Sequence, residues 1–336
     1  MDKKIVFSGV QPSGEIHLGN YLGALKQFAN LQNTNNCIFS IVDLHAITVW
    51  QDPQLLPIRT REVLAIFIAS GIDPKKNIIF NQSQVSEHAQ LAWILGCTAK
   101  IGWLNRMTQF KDKAGKDKEA ATVGLYTYPI LMAADILLYK ATHVPVGDDQ
   151  KQHLELARDI AQKFNTDYKK SYFTVPESLI NKAAPRIMSL RDGKKKMSKS
   201  DPSGYSRIMM TDTNDEVLKK VMKAKTDSLK MPTSIEGAKK RPEIENLINI
   251  FSACSETEKE NVVEKFASQD ISAFKKELAN CIIKIVEPIA SETKKLLSDK
   301  EYLDKTLRDG AKRAKDITGK SIIEIKEIIG VVHKKQ

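Results

Sequence analysis

Cysteine and histidine are scarce in this 336-residue sequence: four cysteines (Cys37, Cys97, Cys254, Cys281) and six histidines. No two cysteines stand in Cys-x-x-Cys spacing, so neither a zinc knuckle nor an iron–sulfur cluster can be assembled locally. Four small, reduced, buried thiols are the expectation, with no structural metal. Long hydrophobic runs are missing as well. The longest, Ile130 to Tyr139, contains Asp135 and is about half the ~20 residues a spanning helix requires. The N-terminal Met1-Asp-Lys-Lys-Ile-Val-Phe enters a strand-like segment with no signal-peptide apolar region, so a cytoplasmic protein with no membrane association is expected. There is no internal repeat, and 42% hydrophobic with 28% charged residues excludes wholesale disorder and collagen-like structure. The length allows a large core without staples and suggests two domains.

What is present in excess is positive charge. Of the formal net +11, most is concentrated: residues 182–241 hold 16 Lys/Arg against 7 Asp/Glu. Such a patch suits an anionic partner, either nucleotide phosphates or RNA, and equally describes lysine-solvated helices that bind neither.

Short apolar runs alternate with helical patterns through the first 190 residues. Strands are expected at Lys4–Gly9, Cys37–Asp43, Ile78–Phe80 and His143–Gly147. Helices are expected at Asn20–Leu31, Leu55–Ser70, Val85–Leu95, Tyr128–Lys140 and Gln150–Phe164. This alternation predicts an α/β fold, a parallel sheet with helices on both faces and ligands beyond the carboxyl ends of its strands. Lys111–Glu119 reads as a mobile polar loop and Arg191–Gly204 as a basic one. From about residue 205 strand signals vanish and long amphipathic helices take over, clearest at Lys275–Lys295 and Ser321–Val332. The division expected is 1–205, with a helical connective insertion at about 96–140, and an all-helical 206–336.

Two stretches carry chemistry. After the first strand comes Gly9-Val-Gln-Pro-Ser-Gly-Glu-Ile-His17-Leu-Gly19-Asn20, whose glycines admit close backbone approach and whose following helix presents free N–H groups to a phosphate. Turns of this composition also occur without function. The basic loop contains Lys196-Met197-Ser198-Lys199-Ser200, two ammonium groups and two hydroxyls able to surround a polyphosphate.

Together these resemble the two signature motifs of the class I aminoacyl-tRNA synthetases. With Tyr128-Pro-Ile-Leu-Met-Ala-Ala-Asp135-Ile-Leu-Leu-Tyr and Val144-Pro-Val-Gly147-Asp148-Asp149-Gln150-Lys-Gln-His153, the sequence resembles the bacterial tryptophan-specific branch over nearly its whole length. Asn20 departs from the commoner histidine of the class but still offers an amide donor. The resemblance implies a Rossmann-like catalytic domain and a helical anticodon-binding domain. It also implies ligation of L-tryptophan to the 2′-OH of tRNA(Trp) through a tryptophanyl-adenylate, a homodimer, and no DNA partner. ATP is the implied co-substrate with Mg²⁺, for which no carboxylate cage is apparent.

The same resemblance distributes the residues. His17, Asn20, Lys196 and Lys199 would be catalytic. Gln11, Pro12, Ser13, Gly19, Asn20, Gly147, Asp148, Asp149 and Ile187 would hold ATP together with Lys196, Met197, Ser198, Lys199 and Ser200. Phe7, His45, Val144 and Val146 would line the indole pocket beside Met132 and Asp135, with Tyr128 and Gln150 at the α-ammonium. Read without it, Phe7, Val144 and Val146 are equally sheet core. Asp135 is the one charged residue between Tyr128 and Tyr139, so either internal donors satisfy it or a substrate donor does; an indole N–H, donor only, is the matched partner. Met132 and Tyr128 share its helix face. A tyrosine-specific synthetase, a small nucleotidyltransferase and a catalytically silent RNA-binding relative are the competing classes. No segment resembles an editing domain, and a pocket built around the largest side chain has little need of one.

Overall fold

A computed structural model of the chain describes residues 3–107, 121–147, 150–179, 186–199 and 201–332. Asp148, Asp149, Ser200 and the loop 111–119 lie outside the described residues.

Five strands, β1 (Ile5–Val10), β2 (Asn36–Ile41), β3 (Ile78–Asn81), β4 (His143–Pro145) and β5 (Glu177–Leu179), form one sheet in the order β3-β2-β1-β4-β5. Every pairing is parallel, with Phe7 opposite Ile38 and Val6 opposite both Cys37 and His143. Strands this apolar suit a sheet covered on both faces. Successive side chains alternate accordingly: Val6, Phe39 and Ile79 enter one hydrophobic cluster, Phe7, Ile38 and Phe80 the other. The strand β5, Glu-Ser-Leu, escaped sequence reading because it lacks the apolar run that marked the equally short β4.

The helices of the first half are α1 (Leu18–Asn20), α2 (Lys26–Leu31), α3 (Asp43–Ala46), α4 (Leu55–Ala69), α5 (Glu87–Gly96), α6 (Ile101–Leu104), α7 (Val123–Leu137) and α8 (Lys151–Asp167). A π-helical turn, Tyr21–Leu25, joins α1 to α2. The expected strand Cys37–Asp43 stops at Ile41 because Asp43 starts α3 and is bound up there. Its carboxylate accepts from the N–H groups of Leu44 and Ser83, from Asn81 Nδ2 and from the Ser83 hydroxyl. Helix α7 starts five residues earlier than expected, where the Thr122 hydroxyl accepts from Leu125 N–H at 3.2 Å.

Beyond residue 205 follow α9 (Asn214–Met222), α10 (Ile235–Lys239), α11 (Pro242–Ser255), α12 (Lys259–Phe266), α13 (Ile271–Ser298) and α14 (Lys300–Ile329). Apolar residues from α9 through the start of α14 continue the first cluster, Ala311, Ala314, Ile322 and Ile325 of α14 join the second, and α13 packs on α4. The last helix returns to the sheet and covers the edge strand β3. At the crossing, a Cβ on Gly310 would stand 1.7 Å from the Ile79 carbonyl oxygen, so only glycine allows the approach.

Candidate active site

The chain leaves β1 toward β2 on one side and later returns to β4 on the other, which opens a crevice between the carboxyl ends of β1 and β4. A cavity of about 460 Å³ occupies it. Its walls include Phe7, His45, Tyr128, Met132, Asp135, Val144, Val146 and Gln150, and toward the other end Gln11, Ser13, Asn20 and Lys199. Every residue expected to hold tryptophan therefore lines one cavity, and it is continuous with part of the expected nucleotide site.

At the first end, Asp135 is 1% exposed. Gln82 Nε2 donates to both of its carboxylate oxygens at 2.8 and 2.9 Å, His88 Nδ1 lies 2.6 Å from Oδ1 and His45 Nε2 2.8 Å from Oδ2. A carboxylate only accepts, so both imidazoles present an N–H to it. The remaining His88 nitrogen, Nε2, then accepts from the Tyr139 hydroxyl at 2.8 Å. Burial drives the Asp135 pKa upward, but the His45 and His88 hydrogen bonds outweigh it and hold the group at about 2. Gln82 and His88 went unnoticed in the sequence: one follows β3 and the other lies on α5, and nothing local sets them apart from ordinary polar residues. Tyr128, pushed up to about 12 by burial, stays protonated; its hydroxyl is 2.6 Å from His153 Nε2.

At the second end, the segment Ile16–Leu18 is stitched to Ile208–Met210. Leu18 N–H donates to the Ile208 carbonyl at 2.8 Å and Met210 N–H to that of Ile16 at 2.9 Å. His17 caps the helix that follows: its Nδ1 accepts from Asn20 N–H at 3.2 Å, while Asn20 Oδ1 accepts from His17 N–H at 3.3 Å. Burial, then Lys199, Arg207 and Lys196, lower the His17 pKa to about 4. The ring is thus neutral at pH 7, with its proton on Nε2. The basic loop is a hairpin, in which Met197 N–H donates to the Ile187 carbonyl at 3.0 Å and Ser189 N–H to the Lys195 carbonyl at 2.7 Å. Lys199 Nζ reaches the Gly14 carbonyl at 2.9 Å, and its pKa is lowered to about 8 by burial first and by Arg59 second.

The remaining nucleotide residues are placed less uniformly. Lys196 and Gly147 are exposed, and Ser198 is half-buried on the hairpin. Ile187 is buried beside Gly19, 3.5 Å from where a Cβ there would stand. Met197 is buried in the core, and its backbone N–H is committed to Ile187. Pro12 is buried in the turn. Other parts of the wall, Ser8, Ala24 and Val42 among them, had no site role assigned from the sequence. Among the described residues no three His, Cys, Asp or Glu side chains cluster as a metal site.

A parallel sheet with the cavity at its switch point, an acceptor at one end and Lys199 at the other, fits a nucleotide-dependent enzyme of class I synthetase architecture. The family model of class I tRNA synthetases (W and Y) matches residues 2–287, and the chain belongs to that family. A curated relative, the tryptophan--tRNA ligase of Rhizobium meliloti (strain 1021), is 53% identical over 347 residues, covering 98% of each chain. Among solved structures, tryptophanyl-tRNA synthetase from Mycoplasma pneumoniae superposes with a TM-score of 0.87 at 32% identity, covering 98% of this chain and 99% of the other. The Campylobacter jejuni enzyme, complexed with ADP and tryptophan, superposes at 0.83 and 32% identity, over 97% of this chain and 100% of the other.

Proposed function

We infer that this chain ligates L-tryptophan to tRNA(Trp), using ATP and releasing AMP and pyrophosphate. The observation that carries the choice of amino acid is Asp135 facing the cavity. Gln82, His45 and His88 together make four hydrogen bonds to a carboxylate with about four acceptor positions, so an indole N–H would enter by taking over one of the two Gln82 contacts. Met132 offers a polarizable surface to the ring. Tyr128 and Gln150 take the α-ammonium.

The tryptophan carboxylate, already ionised at pH 7, attacks the α-phosphorus of ATP. A carboxylate–phosphorus bond forms, the bond to the bridging oxygen breaks and pyrophosphate leaves. No protein base is required, so catalysis consists of positioning and charge stabilisation. Asn20 offers its amide and Lys199 its ammonium at the cavity wall, and buried His17, hydrogen-bonded to Asn20, offers Nε2–H. Lys196, on the same hairpin, joins it at the leaving pyrophosphate, and Gly147–Asp149 meet the ribose. Mg²⁺ accompanies the ATP phosphates, and no step is assigned to it. In the second step the terminal 2′-OH of tRNA takes the acyl group, breaking the anhydride and freeing AMP.

The division at about residue 205 belongs to the same reading: residues 1–205 activate tryptophan and the helices of 206–336 read the anticodon. A homodimer is supported by Trp93, Ile101 and Val123, each more than 70% exposed on the neighbouring helices α5, α6 and α7. A cytoplasmic enzyme agrees with the absence, among the described residues, of any helix long and apolar enough to cross a membrane. The test is ATP–pyrophosphate exchange with tryptophan and with tyrosine, without tRNA. Exchange with tryptophan alone is expected. Exchange with tyrosine would overturn the assignment of Asp135 and retain the class; exchange with neither would overturn the catalytic reading.

A further inference from the structure

We propose that Asn246, on α11 and distant in sequence from both motifs, is a positioning residue that sets where Lys196 and Lys199 stand over the cavity. The inference rests on the reading of those lysines given above. In the hairpin, Met188 faces Lys196 in an antiparallel bridge, flanked by the Met197–Ile187 and Ser189–Lys195 hydrogen bonds. Met188 is thus at a non-hydrogen-bonded pair, and its own N–H and C=O point out of the hairpin. The Asn246 amide satisfies both: Oδ1 accepts from Met188 N–H at 2.8 Å, and Nδ2 donates to the Met188 carbonyl at 3.0 Å and the Ser189 carbonyl at 3.4 Å. One side chain behaves as a single-residue third strand, and it is 2% exposed. A donor and an acceptor in one planar group is what the site demands, and aspartate or leucine cannot supply it.

The same helix holds the hairpin elsewhere. At the turn, a Cβ on Gly193 would lie 2.4 Å from the backbone of Pro242, the first residue of α11. Lys225 N–H donates to the Leu190 carbonyl at 2.8 Å, while its Nζ pairs with Glu243 of α11 at 3.0 Å. From this frame the chain runs through buried Met197 to Lys199. The lysines therefore inherit their position from α11 as much as from the catalytic half.

The test is pyrophosphate exchange with Asn246→Ala, Asn246→Asp and Gly193→Ala, beside Lys196→Ala, Lys199→Ala and the Asn246→Ala/Lys199→Ala double variant. Thermal midpoints are measured so that all assays run on folded protein. Misplacement of catalytic groups by about 1 Å costs on the order of 100-fold. Accordingly, kcat should fall about 10- to 100-fold in each Asn246 and Gly193 variant while the KM for tryptophan stays within about 2-fold. The double variant should fall by less than the product of the two single losses, because part of the Asn246 effect runs through Lys199 and the rest through Lys196. Full kcat in the Asn246 variants beside an impaired Lys199→Ala overturns the inference alone, as do losses that multiply in the double variant or a parallel rise in tryptophan KM. Full kcat in both lysine variants overturns the reading of the hairpin, and the inference with it.

Discussion

At the Asp135 end of the cavity a buried carboxylate is matched inside the protein by Gln82, His45 and His88, the last of them braced in turn by Tyr139. At the other end His17 and Lys199 are also substantially buried, but their neighbours are Arg59, Arg207 and Lys196, and both groups are driven toward their neutral forms. One end has its hydrogen bonds satisfied before substrate arrives; the other holds cations against cations until an anion enters. A rigid pocket whose acceptor is fixed in place suits selection among amino acids, since a wrong ligand matches neither its shape nor its polar group. An unsatisfied cationic end suits transition-state stabilisation, since its interactions reach full strength only as negative charge develops on the leaving group.

The sharpest way to break this contrast is at the cationic end. Lys199→Ala should lower the rate of pyrophosphate exchange by about 100- to 1,000-fold, the usual cost of one preorganised electrostatic donor. In the wild type, Lys199 is charged below about pH 8 in the free protein. The kcat/KM for ATP should therefore fall roughly tenfold per pH unit above that point, while kcat, measured with phosphates bound, should hold to higher pH. Lys199→Arg should carry this limb upward, and an unmoved limb would assign it to another group.

At the Asp135 end the effects should appear in stability and selection. Asp135 has a folded pKa of about 2, below its ordinary ~3.9. Its contribution, on the order of 2 kcal/mol, is then complete above about pH 4 and lost as pH falls toward 2. Urea unfolding of wild type and Asp135→Asn should show a gap at pH 7 that closes in acid, and the variant should discriminate tryptophan poorly while still binding ATP. A gap independent of pH would mean that the carboxylate's charge is not what the histidines hold.

The smallest effect belongs to the brace behind them. Tyr139→Phe removes the donor to His88 Nε2 and should cost about 1 kcal/mol, with exchange kinetics nearly unchanged. A large rise in the KM for tryptophan would show that the pocket depends on the whole chain Tyr139–His88–Asp135 for its shape.

Much of this was legible in the sequence because the information is local. Apolar alternation marked β1 to β4, and Gly-Pro-Ser composition marked the turn before His17. The isolated charge of Asp135 in an apolar run announced that a donor must be found for it, though not which one. Gln82 and His88 could not be read as its partners, since they are ordinary residues until β3 and α5 bring them to α7. The same holds for Asn246, one polar residue of α11 whose partner is a backbone 58 positions away.

By itself, the sequence determined the parallel α/β character, the two motif-bearing segments and the excess charge around the basic hairpin, all consequences of residue type and short spacing. The tertiary structure alone decided that the last helix closes the sheet over Gly310, that Asp135 meets three internal donors, and that the lysine hairpin hangs from α11. Each depends on groups distant along the chain meeting within hydrogen-bond or van der Waals distance, and pairing of that kind leaves no periodic trace in a linear sequence.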